Sequence, residues 1–514
     1  MSIIKDLVIG VDSSTTACKA IAWDKWGKAV AEGRSTFALV SPRPNYYEQQ
    51  ATLWWDAFCS TLRSVTAQID ANRIAAICIT HQRETFVPVD EQCQPIRNAI
   101  LWVDDRCRQQ VKDLDKRFGS DYIQDLTGKG PSTKQSLPEF LWLQQNEPDV
   151  IPRAYKLLDV HAYLVYHLTG CWGTSTPCAD PMGILDMRKG TWAADLLSQI
   201  GISLDKFVDI KPPGTILGEV TESASALTGL LPGTPVVAGA GDGQSAGLGA
   251  NITGPGKAYL NLGTAMVSGA HIDDYIANRA FRTLCSPVAG AFIGEEVLGG
   301  GTFTISWFVE NIAPDLRDLH VHVSPEEILE LAAAKLPPGA LGLMLVPYWS
   351  GVLPPYWDEN ATGITIGWTG AHRREHFYRA ILEGIAYEHR LTMEHIEQAT
   401  NVPLTEYILM GGGSRSALWC QIVADVSGKR ATRASTAEAT NLGAGVLAAT
   451  AVGWYPDVRT AANAMTSNER SFEPNEKMHK IYDRLFKEVY VEIFPALQKT
   501  INRLTALTYD EPND

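Results

Sequence analysis

The chain has 514 residues, 45% of them hydrophobic and 20% charged. That length predicts two large domains or about three ordinary ones, and the composition excludes a disordered, collagen-like or disulfide-stapled chain. Lys and Arg total 44 against 58 Asp and Glu, a net charge of −14 that suits no phosphate backbone, so we expect no nucleic-acid partner.

Nine cysteines lie between Cys18 and Cys420, and none form a C-x-x-C pair. The odd count and scattered spacing argue against a disulfide framework or a zinc ribbon. Reduced thiols suit the cytoplasm. No apolar run reaches the ~18 residues of a membrane span. Lys5 and Asp6 precede the first strand where a signal peptide would be apolar. We therefore expect a cytoplasmic protein without a membrane partner.

In chain order, residues 7–12 (LVIGVD) read as a strand ending on Asp12. Residues 20–24, a turn at 25–28 and residues 28–37 continue it as a β-meander. Residues 51–70 carry Leu53, Ala57, Leu62, Val65 and Ile69 at helical spacing. Residues 74–80 (IAAICIT) read as a buried strand that runs into HQRET, 81–85. Strands followed by helices imply α/β layering with a mostly parallel component. Residues 117–138 read as loop, and 138–146 as a helix. TPVVAGAGDGQSAGLGA (234–250) reads as strand, glycine turn with Asp242 at its crest, and small-residue helix.

NITGPG (251–256) marks a boundary, after which KAYLNLGTAMVSGA restarts the strand–turn–strand pattern of the N-terminus. We read a weak internal duplication. A Pro-rich loop at 347–357 and a helix over 372–391 follow. YILMGGGSRSALWCQIVADVSG (407–428) reads as strand, glycine turn, helix; 438–453 as a buried small-residue helix; 475–503 as an amphipathic helix.

Glycine turns after strands surround Asp242, Gly263-Thr264 and Gly411-Gly412-Gly413. Glycine lets backbone N–H groups approach an anion, and a following helix N-terminus adds its dipole. One such turn is equally explained by tight strand–helix packing. Three of them, with the hydroxyl run from Asp12 to Thr16, point to a polyphosphate site. The chain lacks a Walker A motif: in NITGPGKA, Asn251 stands at the first glycine and Ala258 at the Ser/Thr position. It also lacks the protein-kinase HRD and DFG set. Asp12 and Asp242 each end a strand, where α/β folds place ligands; such a pair can hold Mg²⁺ and supply a general base. Either carboxylate also reads as a simple turn or helix cap. Gln82, Arg83 and Glu84 form a donor–acceptor cluster suited to a hydroxyl-rich ligand, or to a salt-bridged turn. Trp54-Trp55 reads as core, whereas Trp102, just before Asp104, Asp105 and Arg106, reads as a ligand platform. Two motifs read as decoys. Residues 243–247 fit the nucleophile elbow G-x-S-x-G through Ser245, and residues 372–376 fit the zinc pattern H-x-x-E-H.

In this order, IGVDSSTTACKAIAWD, ITHQRET, AILWVDDRC, AGAGDGQSAGLGA, LNLGTA, the stretch from GITIGW to RAILEG, and GGGSRSALWCQIVADVSG resemble the FGGY carbohydrate kinases of the actin-like ATPase superfamily. The resemblance covers residues 6–500, nearly the whole chain. It implies an α/β protein of two ribonuclease-H-like domains around an interdomain cleft. Residues 1–250 would carry the sugar site and the base, and 251–514 would carry ATP. Matched by position, Asp242 would be the general base. Gln82, Arg83, Glu84 and Trp102 would line the sugar pocket with it. Asp12 and Asp242 would hold Mg²⁺. Thr15, Thr16 and Lys19 would line the first turn, and Gly263, Thr264 and Gly300 would approach the phosphates. Gly412, Gly413 and Ser416 would lie near the adenosine. The implied reaction is phosphorylation of a sugar hydroxyl by Mg-ATP. D-xylulose is the favoured acceptor, and glycerol, another polyol or another ketose is the alternative. An inactive sugar- and nucleotide-binding regulator is the remote reading. A homodimer is expected by analogy only. Three positions depart from the family pattern: Glu139 replaces a lysine, Trp368 an aliphatic residue, and Gly243 a Gln or Asn after the base.

Overall fold

The structure is a computed structural model and describes residues 5–317, 323–349 and 351–510. β1 (Leu7–Ser13), β2 (Ala17–Asp24) and β3 (Ala29–Thr36) form the predicted meander. β4 (Ile74–His81) runs parallel to β1; β5 (Ile216–Glu219) and β6 (Pro235–Val237) complete a six-stranded sheet of order β5-β6-β4-β1-β2-β3.

The period of two in these strands builds two different faces. Ile9, Val11, Ala20, Ile77 and Ile79 pack beneath α1 (Ala51–Thr66) and α2 (Val160–Thr169). Val8, Ile21, Trp23, Ala76 and Cys78 face the other way.

The second sheet begins after the 251–256 turn cluster. β7 (Lys257–Leu262), β8 (Met266–Ile272), β9 (Arg282–Cys285), β10 (Phe292–Leu298), β11 (Glu406–Met410), β12 (Arg430–Ala434) and β13 (Asn468–Phe472) are arranged as β9-β10-β8-β7-β11-β12-β13. Each sheet thus has a central strand, β1 or β7, with an antiparallel partner on one side and two parallel strands on the other. An antiparallel edge strand closes each. The duplication read from one strand–turn–strand pattern therefore extends through both sheets. The halves differ at their edges: β5 precedes its neighbour in sequence, β13 follows its own, and β9 is an addition.

α3 (Asp242–Gly249) lies between the sheets; α4 (Arg374–Thr400) and α5 (Ala417–Ser427) cover the outer face of the second. α6 (Ala439–Ala451) follows the second half in sequence yet packs Leu442, Val446 and Leu447 onto Val8, Ala76 and Cys78 of the first sheet. The small residues of α3 and α6 have a direct reason. A Cβ on Gly443 would sit 2.0 Å from the Ser245 carbonyl oxygen, and one on Gly10 2.1 Å from that of Asn441. Only glycine permits that approach.

Between β4 and β5, inserted elements form their own core around Phe86, Phe140, Leu197 and Phe207. The stretch 117–138, expected as loop, contains the helix Ser120–Thr127. Gly119 and Gly128, both at positive φ, punctuate a segment that buries Ile123 and Thr127. The C-terminal helix is two α-helices, Glu476–Leu485 and Val491–Thr505, joined by a π segment at Phe486–Tyr490. Ser350 of the Pro-rich loop lies outside the described residues. All nine cysteines are free thiols, eight of them buried. No described helix is long and apolar enough to cross a membrane.

Glu139, the departure from lysine, lies in the first turn of the helix Ser136–Asn146. It is fully buried, and neither carboxyl oxygen meets a hydrogen-bond donor. Burial, then repulsion from Asp104, pushes its pKa well above the ordinary glutamate value. The folded state therefore holds a proton that the unfolded state releases as pH rises. Stability falls through the window between the two pKa values. Glu139→Gln removes this dependence. Its urea midpoint should exceed that of the parent at pH 8, and the gap should close toward pH 5. Parallel pH profiles would show that Glu139 is paired.

Candidate active site

A cavity of ≈ 220 Å³ opens where the two sheets meet. Asp12, Arg83, Glu84, Trp102 and Asp242 line it from the first half, and Tyr259, Asn261, Arg282 and Leu353 from the second. Strand ends place the first set. Asp12 is the penultimate residue of β1, Arg83 and Glu84 follow β4, and Asp242 opens α3 just beyond β6.

Asp242 is held by one oxygen only. Its Oδ1 forms an ion pair with Arg83 Nε at 2.9 Å and accepts from the Gly243 backbone N–H at 2.7 Å. Among the described residues no protein donor reaches Oδ2. The side chain keeps 41% of its surface exposed, so Oδ2 remains open to the cavity. Asp12 is half-buried, and its Oδ1 has no hydrogen-bond partner among the described residues. Burial, then the nearby charges of Asp242 and Glu438, push its pKa well up. Carboxylates that repel one another around an unpartnered oxygen suit a cation.

Glu84 stands at φ 62°, a region costly for a residue with a Cβ. Ser136 Oγ donates to its carbonyl at 2.6 Å and so fixes the turn. Burial raises its pKa, against the pull of Arg282 and Arg83. Arg83 donates through Nη1 to Glu295 at 2.8 Å. Arg282 donates to Glu295 at 2.6 Å and to Glu84 at 3.0 Å, and Tyr259 Oη donates to Glu295 at 2.9 Å. Burial pushes the Glu295 carboxyl up, but Arg83, Arg282 and Tyr259 more than offset this and hold it below the ordinary glutamate range.

Gly243 explains how the network fits beside Asp242. A Cβ there would lie 2.6 Å from Glu295 Oε2 and 2.9 Å from Arg83 Nη2. The space left by its missing side chain is filled by the Arg83–Glu295 ion pair, which spans the cleft.

Other expected site residues stand elsewhere. Gln82 lies behind the cavity wall, and its amide donates to Gln49 Oε1 at 3.3 Å. Trp102 lines the cavity, but its indole N–H is fixed on Thr15 Oγ1 at 2.9 Å. Thr16 is exposed beside Thr15. Lys19 pairs with Glu438 at 2.8 Å and Glu32 at 3.4 Å. Ser416 caps α5, accepting from the Trp419 backbone N–H at 3.0 Å.

The glycine turns of the second half do converge. The backbone N–H groups of Thr302 and Phe303, just past Gly300, donate to the carbonyls of Gly263 and Thr264. Gly411, which precedes Gly412 and Gly413, abuts Asn261 at the end of β7. Nothing lies within 4 Å of a Cβ placed on Gly412, whereas one on Gly413 would strike Trp419.

Neither decoy forms a site. Ser245 is fully buried with its hydroxyl unpartnered. His372 Nδ1 accepts from the Thr369 N–H, and His376 Nδ1 from the Arg373 N–H. Among the described residues no three His, Cys, Asp or Glu side chains are grouped to hold a metal.

Sequence reasoning missed Tyr259, Arg282, Glu295 and Leu353, and Lys134, which also lines the cavity. The one available signal was charge inside apolar strands: Arg282 in β9 and Glu295 in β10 are buried.

Two sheets of related topology pack about a shared helical layer, and the Asp242 carboxylate faces the cavity between them. The first half matches the FGGY family of carbohydrate kinases, N-terminal domain, over residues 7–249. The second matches the corresponding C-terminal domain over residues 258–452. The chain belongs to the FGGY family and is an ATP-dependent sugar kinase. It is 29% identical to the xylulose kinase of Bacillus subtilis over 94% of this chain and 96% of that one. It is 30% identical to the glycerol kinase of Thermococcus kodakarensis, with the same coverage. The crystal structure of ligand-bound xylulose kinase from Lactobacillus acidophilus superposes with a TM-score of 0.90 at 24% identity, covering 97% of this chain and 99% of that one.

Proposed function

We propose that this kinase phosphorylates a small neutral ketose, with D-xylulose as the favoured acceptor. The observation that carries the reading is the cavity in which Asp242 Oδ2, Arg83 and Glu84 face one another. Its charged lining, Arg83, Lys134 and Arg282 against Asp12, Glu84 and Asp242, is three of each sign, and all three cations are already paired with protein carboxylates. Such a wall suits hydroxyls and disfavours a substrate carboxylate.

In this reading the division falls near residue 250. The first half recognises the sugar and supplies the base, and the second holds ATP. Arg83 and the Gly243 N–H orient Asp242, whose Oδ2 takes the proton from the acceptor hydroxyl. The deprotonated hydroxyl oxygen of the acceptor attacks the γ-phosphorus in line, and ADP leaves. The protein's contribution is positioning plus charge stabilisation. The turns at Gly263-Thr264, Gly300 and Gly412-Gly413 receive the nucleotide, with Ser416 and the Thr15-Thr16-Lys19 turn flanking them. Asp12, with Asp242 beside it, would hold Mg²⁺, which neutralises phosphate charge when bound. Trp102 forms a wall of the sugar pocket, and Gln82 supports it from behind.

The Arg83–Glu84 strip favours a second reading, glycerol or a tetritol, because both side chains crowd the cavity beside the base.

Coupled ADP release over ketopentoses, ketohexoses, glycerol, tetritols and sugar acids separates the two. Turnover with D-xylulose above all others supports the first reading. A preference for glycerol or a tetritol replaces it with the second. A preference for a sugar acid would refute the charge argument.

A further inference from the structure

We propose that Arg282, held by Glu295, is a positioning residue for the acceptor. It reaches across the cleft and orients Glu84, so that one carboxylate oxygen of Glu84 is offered to a substrate hydroxyl.

The inference rests on the acceptor reading above and on four observations. Arg282 lines the cavity yet is only 6% exposed, so its guanidinium is an element of the wall. Its Nε and Nη2 both donate to Glu295 Oε1, at 2.9 and 2.6 Å, which fixes the plane of the fork. The remaining Nη1 donates to Glu84 Oε1 at 3.0 Å. Glu84 Oε2 receives no protein donor among the described residues, and it belongs to a cavity-lining side chain. The strained backbone of Glu84, tied down by Ser136, fixes where that side chain starts; Arg282 fixes where it ends.

Glu295 makes the arrangement reciprocal. It binds Arg83, which binds Asp242, and it binds Arg282, which binds Glu84. The candidate base and the candidate hydroxyl acceptor are thus spaced by one buried carboxylate of the opposite half. Two of these ion pairs, Arg83–Glu295 and Arg282–Glu84, join residues about 200 positions apart across the cleft. The acceptor wall is complete only when the halves are together. Planar, bidentate geometry of this kind is specific to Arg and is only partly reproduced by Lys.

The experiment compares the parent with Arg282→Met and Arg282→Lys, using the acceptor that the parent turns over best. Hydrogen bonds to charged groups set the scale. Arg282→Met should raise the acceptor KM roughly 10- to 100-fold, with the ATP KM within about twofold. Arg282→Lys should restore part of that loss. In a cycle with Glu84→Gln, the double variant should be little worse than Glu84→Gln alone, because Arg282 acts through Glu84. An unchanged acceptor KM in Arg282→Met overturns the inference. So does a parallel rise in both KM values with a lowered urea midpoint, which marks a merely structural role. A parent that turns over no acceptor in the panel overturns the acceptor reading, and this inference with it.

Discussion

Asp242→Asn should lower kcat by roughly 10²- to 10⁴-fold, the range that a positioned general base contributes. The amide keeps the shape of the side chain, still accepts from the Gly243 N–H at the Oδ1 position and keeps an oxygen beside Arg83 Nε. It cannot take a proton at the other atom. The acceptor KM should therefore change little, which separates lost chemistry from lost binding. Stability should also be nearly unchanged, because the side chain is 41% exposed. A variant that keeps more than about a tenth of the parental kcat would remove Asp242 from the base role.

The second large effect concerns a buried pair beneath the same helix. Lys129 Nζ donates to Asp180 Oδ1 at 3.0 Å and to the Thr127 carbonyl at 2.8 Å, and neither charged side chain is exposed. Asp180 Oδ2 accepts from the Cys285 N–H at 2.6 Å, in the second half, and from Gln244 Nε2 at 3.4 Å. Gln244 is two residues beyond Asp242. Lys129→Met leaves Asp180 buried without its counter-charge, and the expected cost is about 3–5 kcal/mol. The urea midpoint reads it. Lys129→Met with Asp180→Asn should recover much of the loss, since no charge then stays unpaired. A double variant as unstable as the single one would show that packing, not charge, is at stake. Because Asp180 also meets the second half, kcat should fall along with stability in Lys129→Met, unlike in Asp242→Asn.

The contrast between these variants follows from where each residue gets its partners. Asp12 and Asp242 were legible because both end apolar strands, and strand ends are local events. The turn glycines, the meander and the small-residue helices were legible for the same reason. Gln82 shows the limit. It shares the HQRET turn with Arg83 and Glu84, and composition treats the three alike. Gln82 meets Gln49, whereas Glu84, two residues on and at φ 62°, meets the cavity. Lys19 and Ser416 show a second limit. Each has the right type and place for a phosphate or nucleoside contact, yet each already has a protein partner, Glu438 or a helix N-terminus.

Local pattern alone thus determined the strand–turn–strand duplication, the α/β layering and the two strand-end carboxylates. It did so because a period of two, a glycine turn and a terminal Asp are each written within a dozen residues. Only the tertiary structure decided that α6 completes the first sheet, that Gly243 makes room for Arg83 and Glu295, and that Arg282 reaches Glu84. The Arg83–Glu295 and Arg282–Glu84 pairs join residues about 200 positions apart, and Arg282 and Glu295 sit in otherwise ordinary strands. An ion pair has no periodicity, so its partner is fixed only when packing brings the two halves to one cleft.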